Sequence, residues 1–364
     1  MTDLAPPSAF GPVPTSVQTG LDSAILVHAP QSNVRSVAAY CYNSGVSALY
    51  TVSRGNRTAA AQRLLDEHRA VAGTTARILF DANRYSGKKR ALGDEPLSAE
   101  WVAWQLDHGA PVAITDTGYI DLEHIEQIGL VLSRTTDIAT KVTGPVTAML
   151  PIDYLILKNE ADRIRDFVDA AGIPIALAVG HSGDPFSSVD AVRGLLHVVT
   201  STVPTALLRT DLSAVGAVAA GASFGAVGTS TTLRHIWPPK NGGPTKPGVS
   251  YLVPRLMSYH RREHIPLVAA QVPEDYFLCD CDICENCSVV DRVTEHNAHE
   301  HSINAIASIS AAVLGGNPSD SLRSFRAKAM YAQSLHSDIQ LEMEDDRWAA
   351  PSSLNAWVKA LDEI

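Results

Sequence analysis

Apolar and polar positions fall in alternating blocks along the middle of the chain. Six short, near-continuous apolar runs read as strands. They are "RILFDA" at 77–82, "PVAITDTGY" at 111–119, "PVTAMLPID" at 145–153, "PIALAVG" at 174–180, "PTALLRT" at 204–210 and "ASFGAVG" at 222–228. Strands buried on both faces of a parallel sheet lose the in–out alternation and read this way. Between them, the stretches 99–109, 121–132, 160–172, 189–199 and 211–221 place apolar residues at helical spacing and begin with acidic or capping residues. Two further strand candidates lie upstream, "SAILVHA" at 23–29 and "SALYTVS" at 47–53. Eight parallel strands with outer helices predict an α/β fold, a (β/α)8 barrel of TIM type. A doubly wound open sheet is the alternative, but no GxGxxG stands at a strand–helix turn.

This pattern divides the chain. Residues 1–20, rich in proline, read as a disordered leader rather than a signal peptide. The barrel is expected over 21–270, a zinc-binding subdomain over 271–305, and a C-terminal helical segment over 306–364. That last segment either packs on the barrel or mediates a homo- or heterodimer.

Composition sharpens the picture. The chain has 364 residues and is 45% hydrophobic, enough for a large core. No apolar run approaches the roughly 20 residues of a membrane span, so no membrane partner is expected. Without an export signal, the expected location is a reducing cytoplasm. Clustered cysteines there favour metal or redox use over disulfides. A net charge of −10 excludes an overall basic field for nucleic acid. Local basic patches remain at 86–90 ("SGKKR"), 260–262 ("HRR"), Lys240 and Lys246. They are either solvated surface or one basic face of an acidic protein.

In a barrel, polar residues just after each strand line the catalytic face. Asp81 with Asn83 and Arg84, Thr115 with Asp116 and Tyr119, Asp153, His181 with Asp184, Arg209 with Asp211, and Thr229 with Arg234 hold such positions. Asp121 and Asp211 read as helix caps. Asp81 follows "ILF" with no helix beginning after it, so a carboxylate for acid–base work fits there. If Asp81, Asp116 and Asp153 converge, like-charge repulsion raises at least one pKa.

Residues 279–287, "CDCDICENC", carry four of the five cysteines in the pattern CxCxxCxxC. Thiolates bind Zn²⁺ well, and a tight CxCxxC loop supplies three ligands with the fourth from elsewhere. Cys287, His296, His299 and His301 are the candidates. Three or four sulfurs leave no open position for water, so the zinc is expected to be structural, about one per chain.

CxCxxC, then a histidine in "TEHN", after a series of βα units, resembles the tRNA-guanine transglycosylases, including their DNA-modifying 7-deazaguanine branch. Three other stretches share the resemblance: "ILFDANRYSG", "IALAVGH" and "DLSAVGAVAAGASFGAVGTSTTLRH". The resemblance implies a zinc-containing barrel that exchanges a guanine-type base in tRNA or DNA. It puts Asp81 in the place of the acid/base aspartate, and Leu177, Ala178, Val179 and Gly180, flanked by His181, in the place of the base-contacting strand. Arg234 falls in the third matching stretch, as a substrate-binding candidate. Cys279, Cys281, Cys284 and His296 take the place of the zinc ligands. The chain departs from the family at the nucleophile. Where the family carries an aspartate, this sequence offers Gly225, Ala226 and Gly228, so Asp116 and Asp153 are the replacement candidates. The alternatives are a catalytically inactive base-binding or partner subunit, and a barrel enzyme of unrelated chemistry with a structural zinc.

Overall fold

The computed structural model describes residue 21 and residues 23–74, 77–239 and 249–363; the expected leader, Lys240 and Lys246 lie outside the described residues. All eight strand candidates form: β1 (Ala24–Pro30), β2 (Ala48–Thr51), β3 (Ile78–Asp81), β4 (Ala113–Ile114), β5 (Val146–Asp153), β6 (Ile175–Gly180), β7 (Thr205–Thr210) and β8 (Phe224–Gly228). They make one parallel sheet in the order β3-β2-β1-β8-β7-β6-β5-β4. Its two edges, β3 and β4, lie side by side, so the ring nearly closes into a (β/α)8 barrel.

The helical stretches fall between the strands as α1 (Val34–Ser44), α2 (Arg57–Ala72), α3 (Ala99–Asp107), α4 (Gln127–Ala139), α5 (Tyr154–Asn159), α6 (Ala161–Ala171), α7 (Val189–Val199) and α8 (Ser213–Ala219). The helix expected from 121 starts later, after a 3-10 turn at Leu122–His124. Leu26, Leu49, Leu79, Met149, Ala176, Ala178, Ala206, Leu208 and Ala226 fill the barrel interior. Val and Ile of the opposite parity face the helices.

After β8 the chain forms a hairpin of β9 (Ser250–Val253) and β10 (Ser258–Arg261), then α9 (Ile265–Ala269). A two-residue pair follows, β11 (Leu278–Cys279) with β12 (Cys287–Ser288), then α10 (Val289–Arg292) and three long helices. These are α11 (Ala298–Leu314), α12 (Pro318–Met343) and α13 (Ser352–Leu361). α11 lies between α8 and α1 and against β1, the position of the barrel's eighth helix. The expected boundary at 305/306 therefore falls inside one helix.

The C-terminal helices pack on the barrel. α8, "SAVGAVA", is buried at every position because α11, α12 and Trp357 of α13 cover it. Gly216 makes this possible: a Cβ there would stand 2.8 Å from the Phe325 ring and 2.9 Å from Trp357. Trp357 donates from Nε1 to Ser213 Oγ at 3.0 Å. Among the described residues, no helix is long and apolar enough to cross a membrane.

Candidate functional site

Asp81 ends β3 with the same parity as Leu79, so its side chain turns into the C-terminal mouth of the barrel, where it is buried. Oδ2 accepts from the Tyr85 hydroxyl at 2.6 Å, and Oδ1 accepts from the Asn83 N–H at 2.8 Å. His28, from the end of β1, brings Nε2 to 3.4 Å of Oδ2, and Arg209 Nη1 stands at 3.7 Å. His28 Nε2 also meets Thr51 Oγ1 at 2.9 Å. Burial raises the Asp81 pKa, but the hydrogen bond and charge of His28, with Arg209 and Tyr85, outweigh it and leave the carboxyl below its usual range. Burial also lowers the His28 pKa, against the opposing pull of Asp81.

Arg209 reaches this position through a local irregularity. The β7–β8 register shifts between Leu207 and Thr210, and Arg209 adopts a φ of 53°. A non-glycine residue in that region is strained, and a bulge re-aims its side chain. The guanidinium lies across the mouth, donating to Asn83 Oδ1 (2.8 Å), Thr232 O (3.0 Å) and His235 O (3.2 Å). A buried carboxylate and a buried guanidinium thus stand together where a barrel places its chemistry.

The other expected carboxylates do not join them. Asp116 is buried, but it turns toward α2 and α3. It is paired with Arg57, bonded by Arg84 Nη1 at 3.1 Å, and accepts the Ser98 N–H at 2.8 Å. Asp153 caps α5, accepting from Leu155 N at 2.9 Å, and receives the Tyr119 hydroxyl at 3.0 Å. Each carboxylate has its own donors, and the one in the mouth is pulled down rather than up. The expected convergence of the three carboxylates therefore does not occur.

Of the expected base-contacting strand, Ala178 faces the barrel interior, while Leu177 and Val179 face the helix layer. Gly180 is needed at its place, because a Cβ would lie 2.5 Å from the Tyr119 hydroxyl. His181 is turned aside, its ring edge-on to Tyr154 at 4.2 Å. Arg234 stacks on Tyr259 of β10, 3.2 Å from the ring centre. On β8, a Cβ at Gly228 would stand 2.2 Å from Leu233 O, and one at Gly225 would press on Ala214 at 3.0 Å. Ala226 is fully buried in the interior. At Gly228 a side chain would have to displace the Leu233 backbone.

The metal candidate lies at the far end of the barrel chain. The ligand atoms of Cys279, Cys281, Cys284 and His301 are buried and lie within 4.8 Å of one another. The fourth donor is therefore His301 rather than His296. His296 is exposed ahead of α11, whereas His301 sits one turn into α11, facing inward. Its Nδ1 stands 3.3 Å from Cys284 Sγ and 3.5 Å from Cys281 Sγ. Its Nε2 is 2.8 Å from the Leu252 carbonyl, which requires the proton there and leaves the Nδ1 lone pair facing the sulfurs. Cys287 is half-buried and lies 3.5 Å from Arg292 Nη2 instead. Three thiols in so small a space share protons. Hydrogen bonds from Cys279 and Cys284 pull the Cys281 pKa down, and the bond to Cys281 pushes Cys279 up to about 12. A cation replaces those protons, and the donor set fits one.

His28 was not legible as a site residue: a single histidine in "AILVHAP" reads as an ordinary part of an apolar strand. Tyr85 carried no signal beyond its nearness to Asp81.

No family model matches the chain, and no curated protein matches it. Among solved structures it overlays on the crystal structure of an enolase protein from the environmental genome shotgun sequencing of the Sargasso Sea. The overlay has 10% identity and a TM-score of 0.31, and covers 56% of this chain and 53% of that one. The chain thus spans about half of the enolase, and a likeness that weak says nothing of function.

Proposed function

We propose that this chain is a transglycosylase-like barrel that binds a guanine- or 7-deazaguanine-type base of tRNA or DNA and holds it without covalent exchange. The observation that carries the reading is the pair of Asp81 and Arg209 in the barrel mouth, 3.7 Å apart. A guanine-type base presents N–H donors and a carbonyl acceptor along one edge. An ionised carboxylate accepts from the donors, and a guanidinium donates to the acceptor. The base takes the place that the Tyr85 hydroxyl holds on Oδ2. An adenine edge opposes this arrangement, and a well-matched pair discriminates by about 1–3 kcal/mol. The Leu233 backbone packed against Gly228, and the engagement of Asp116 and Asp153 elsewhere, argue against a sugar–carboxylate intermediate.

The metal in this reading is zinc, held by Cys279, Cys281, Cys284 and His301. Zn–S near 2.3 Å and Zn–N near 2.0–2.1 Å put sulfur and nitrogen about 3.5 Å apart in a tetrahedron. The observed 3.3 and 3.5 Å agree with that. With four protein ligands the ion only holds the β9 hairpin, the cysteine loop and α11 together. The five cysteines, all without disulfides, suit a cytoplasmic setting.

The test combines binding with exchange. Zinc-loaded protein is mixed with labelled guanine and a guanine-containing oligonucleotide. Saturable guanine binding, at least tenfold weaker in Asp81→Asn, with no label incorporated and no trapped protein–sugar adduct, is the expected result. Label incorporation with an adduct, or equal binding by the variant, overturns the reading.

A further inference from the structure

Beside the barrel mouth, a cavity of about 570 Å³ opens between the ends of β2, β3 and β4 and the first turns of α2 and α3. Five cations line it: Arg54, Arg57, Arg84, Lys89 and Arg90. Only two carboxylates do, Glu95 and Asp116. This excess of three positive charges occurs in a chain whose net charge is −10. The carboxylates are already engaged. Asp116 binds Arg57 and Arg84, and Arg84 Nη2 also meets Glu95 at 2.6 Å. The remaining three cations have no acidic partner among the described residues. Arg54 reaches only the Asn83 carbonyl at 3.4 Å, Arg90 stacks over Tyr119 at 3.9 Å, and Lys89 is exposed.

We propose that this cavity is a phosphate-binding site. It takes the phosphate next to the base held at Asp81, a placement that rests on the base-binding reading. The geometry links the two sites through one residue: Arg54 bonds the main chain of Asn83, while Arg209 bonds its side chain at 2.8 Å. Burial first, and then the Arg209 charge, lower the Arg54 pKa. Arg57 and Arg84, braced by Asp116, present fixed N–H groups, and arginine forks match phosphate oxygens. Arg54, Lys89 and Arg90 supply the uncompensated charge. The same chemistry serves a phosphodiester of a polynucleotide and the phosphate of a free mononucleotide.

The test uses the zinc-loaded full chain and the double variant Arg54→Gln/Lys89→Gln, both positions exposed. Inorganic phosphate, guanosine monophosphate and a single-stranded oligonucleotide are titrated across a salt series, with free guanine alongside. Each lost phosphate contact on a single strand lowers the salt slope by about 0.7. The double variant is therefore expected to lose about 1.4 in slope, and roughly 25-fold in oligonucleotide affinity at 0.1 M salt. Phosphate and monophosphate binding fall with it if the source is a free nucleotide, whereas loss confined to the oligonucleotide identifies a phosphodiester. Either pattern supports the site. Unchanged slope and affinity for all three ligands overturns it. Free guanine carries no phosphate, so its binding is unchanged in the double variant and reports on the Asp81 reading alone.

Discussion

Replacing His301 by alanine tests the metal centre at the point where sequence and structure part. Three losses follow from the geometry. The Leu252 carbonyl loses its partner inside the protein, at about 2 kcal/mol. A ring-sized hole opens in a fully buried position, at about 3 kcal/mol. The metal loses one of four donors. If its dissociation constant rises a hundredfold, linkage removes about 2.7 kcal/mol of stabilisation. The total is about 7–8 kcal/mol. An unfolding entropy of about 2.1 cal/mol/K per residue over 364 residues gives ~0.8 kcal/mol per degree. The melting temperature should therefore fall by about 10 °C. The assay is metal content by mass spectrometry together with thermal unfolding, on His301→Ala and His296→Ala. The exposed His296 makes no contribution, so its variant keeps about one metal per chain and the wild-type melting temperature. A His301→Ala protein that keeps its metal and melts within 2 °C of wild type refutes the assignment, as does metal loss in His296→Ala.

Asp81→Asn leaves the Arg209 charge without its carboxylate but with its carbonyl partners, and should cost about 3 kcal/mol, read as a lower urea midpoint. His68 is buried against Tyr50, and burial, then Arg69, lowers its pKa from 6.5 to about 4. The unfolded chain takes up this proton below pH 6.5 while the folded ring refuses it. Stability is thus lost as pH falls from 6.5 toward 4, by up to about 3 kcal/mol, and His68→Asn should flatten that part of the urea-midpoint profile. Asp81, with its lowered pKa, contributes above pH 3.8 and loses that contribution as pH falls through its folded value. A strong chelator should remove the metal and loosen the cysteine loop and the start of α11. Faster hydrogen exchange there, with the β5–β7 amides unchanged, would check this.

The barrel was legible because its strands are apolar on both faces. Runs such as "PIALAVG" and "PTALLRT" cannot be amphipathic surface, and all eight candidates pair in parallel. The grouping of Cys279, Cys281 and Cys284 was equally plain, since their spacing is set by one tight loop. His301 was not: only the path of α11 decides which of three nearby histidines turns inward. The site itself was half legible. Strand parity places Asp81 in the mouth, but Arg209 reaches it from β7 across the ring and His28 from β1. Arg209 turns there only because β7 bulges, which a sequence of ordinary strand residues does not announce. Asp116 and Asp153 satisfy the same positional rule as Asp81. They differ in their neighbours: Arg57 and Arg84 hold Asp116, and the N-terminus of α5 holds Asp153.

The central claim is that Asp81 and Arg209 read a guanine-type edge, and calorimetric titration of free bases into the metal-loaded protein tests it most directly. The account predicts saturable binding of guanine and 7-deazaguanine, with adenine at least tenfold weaker. Adenine binding as tightly as guanine, or no heat with any of the three, would contradict it.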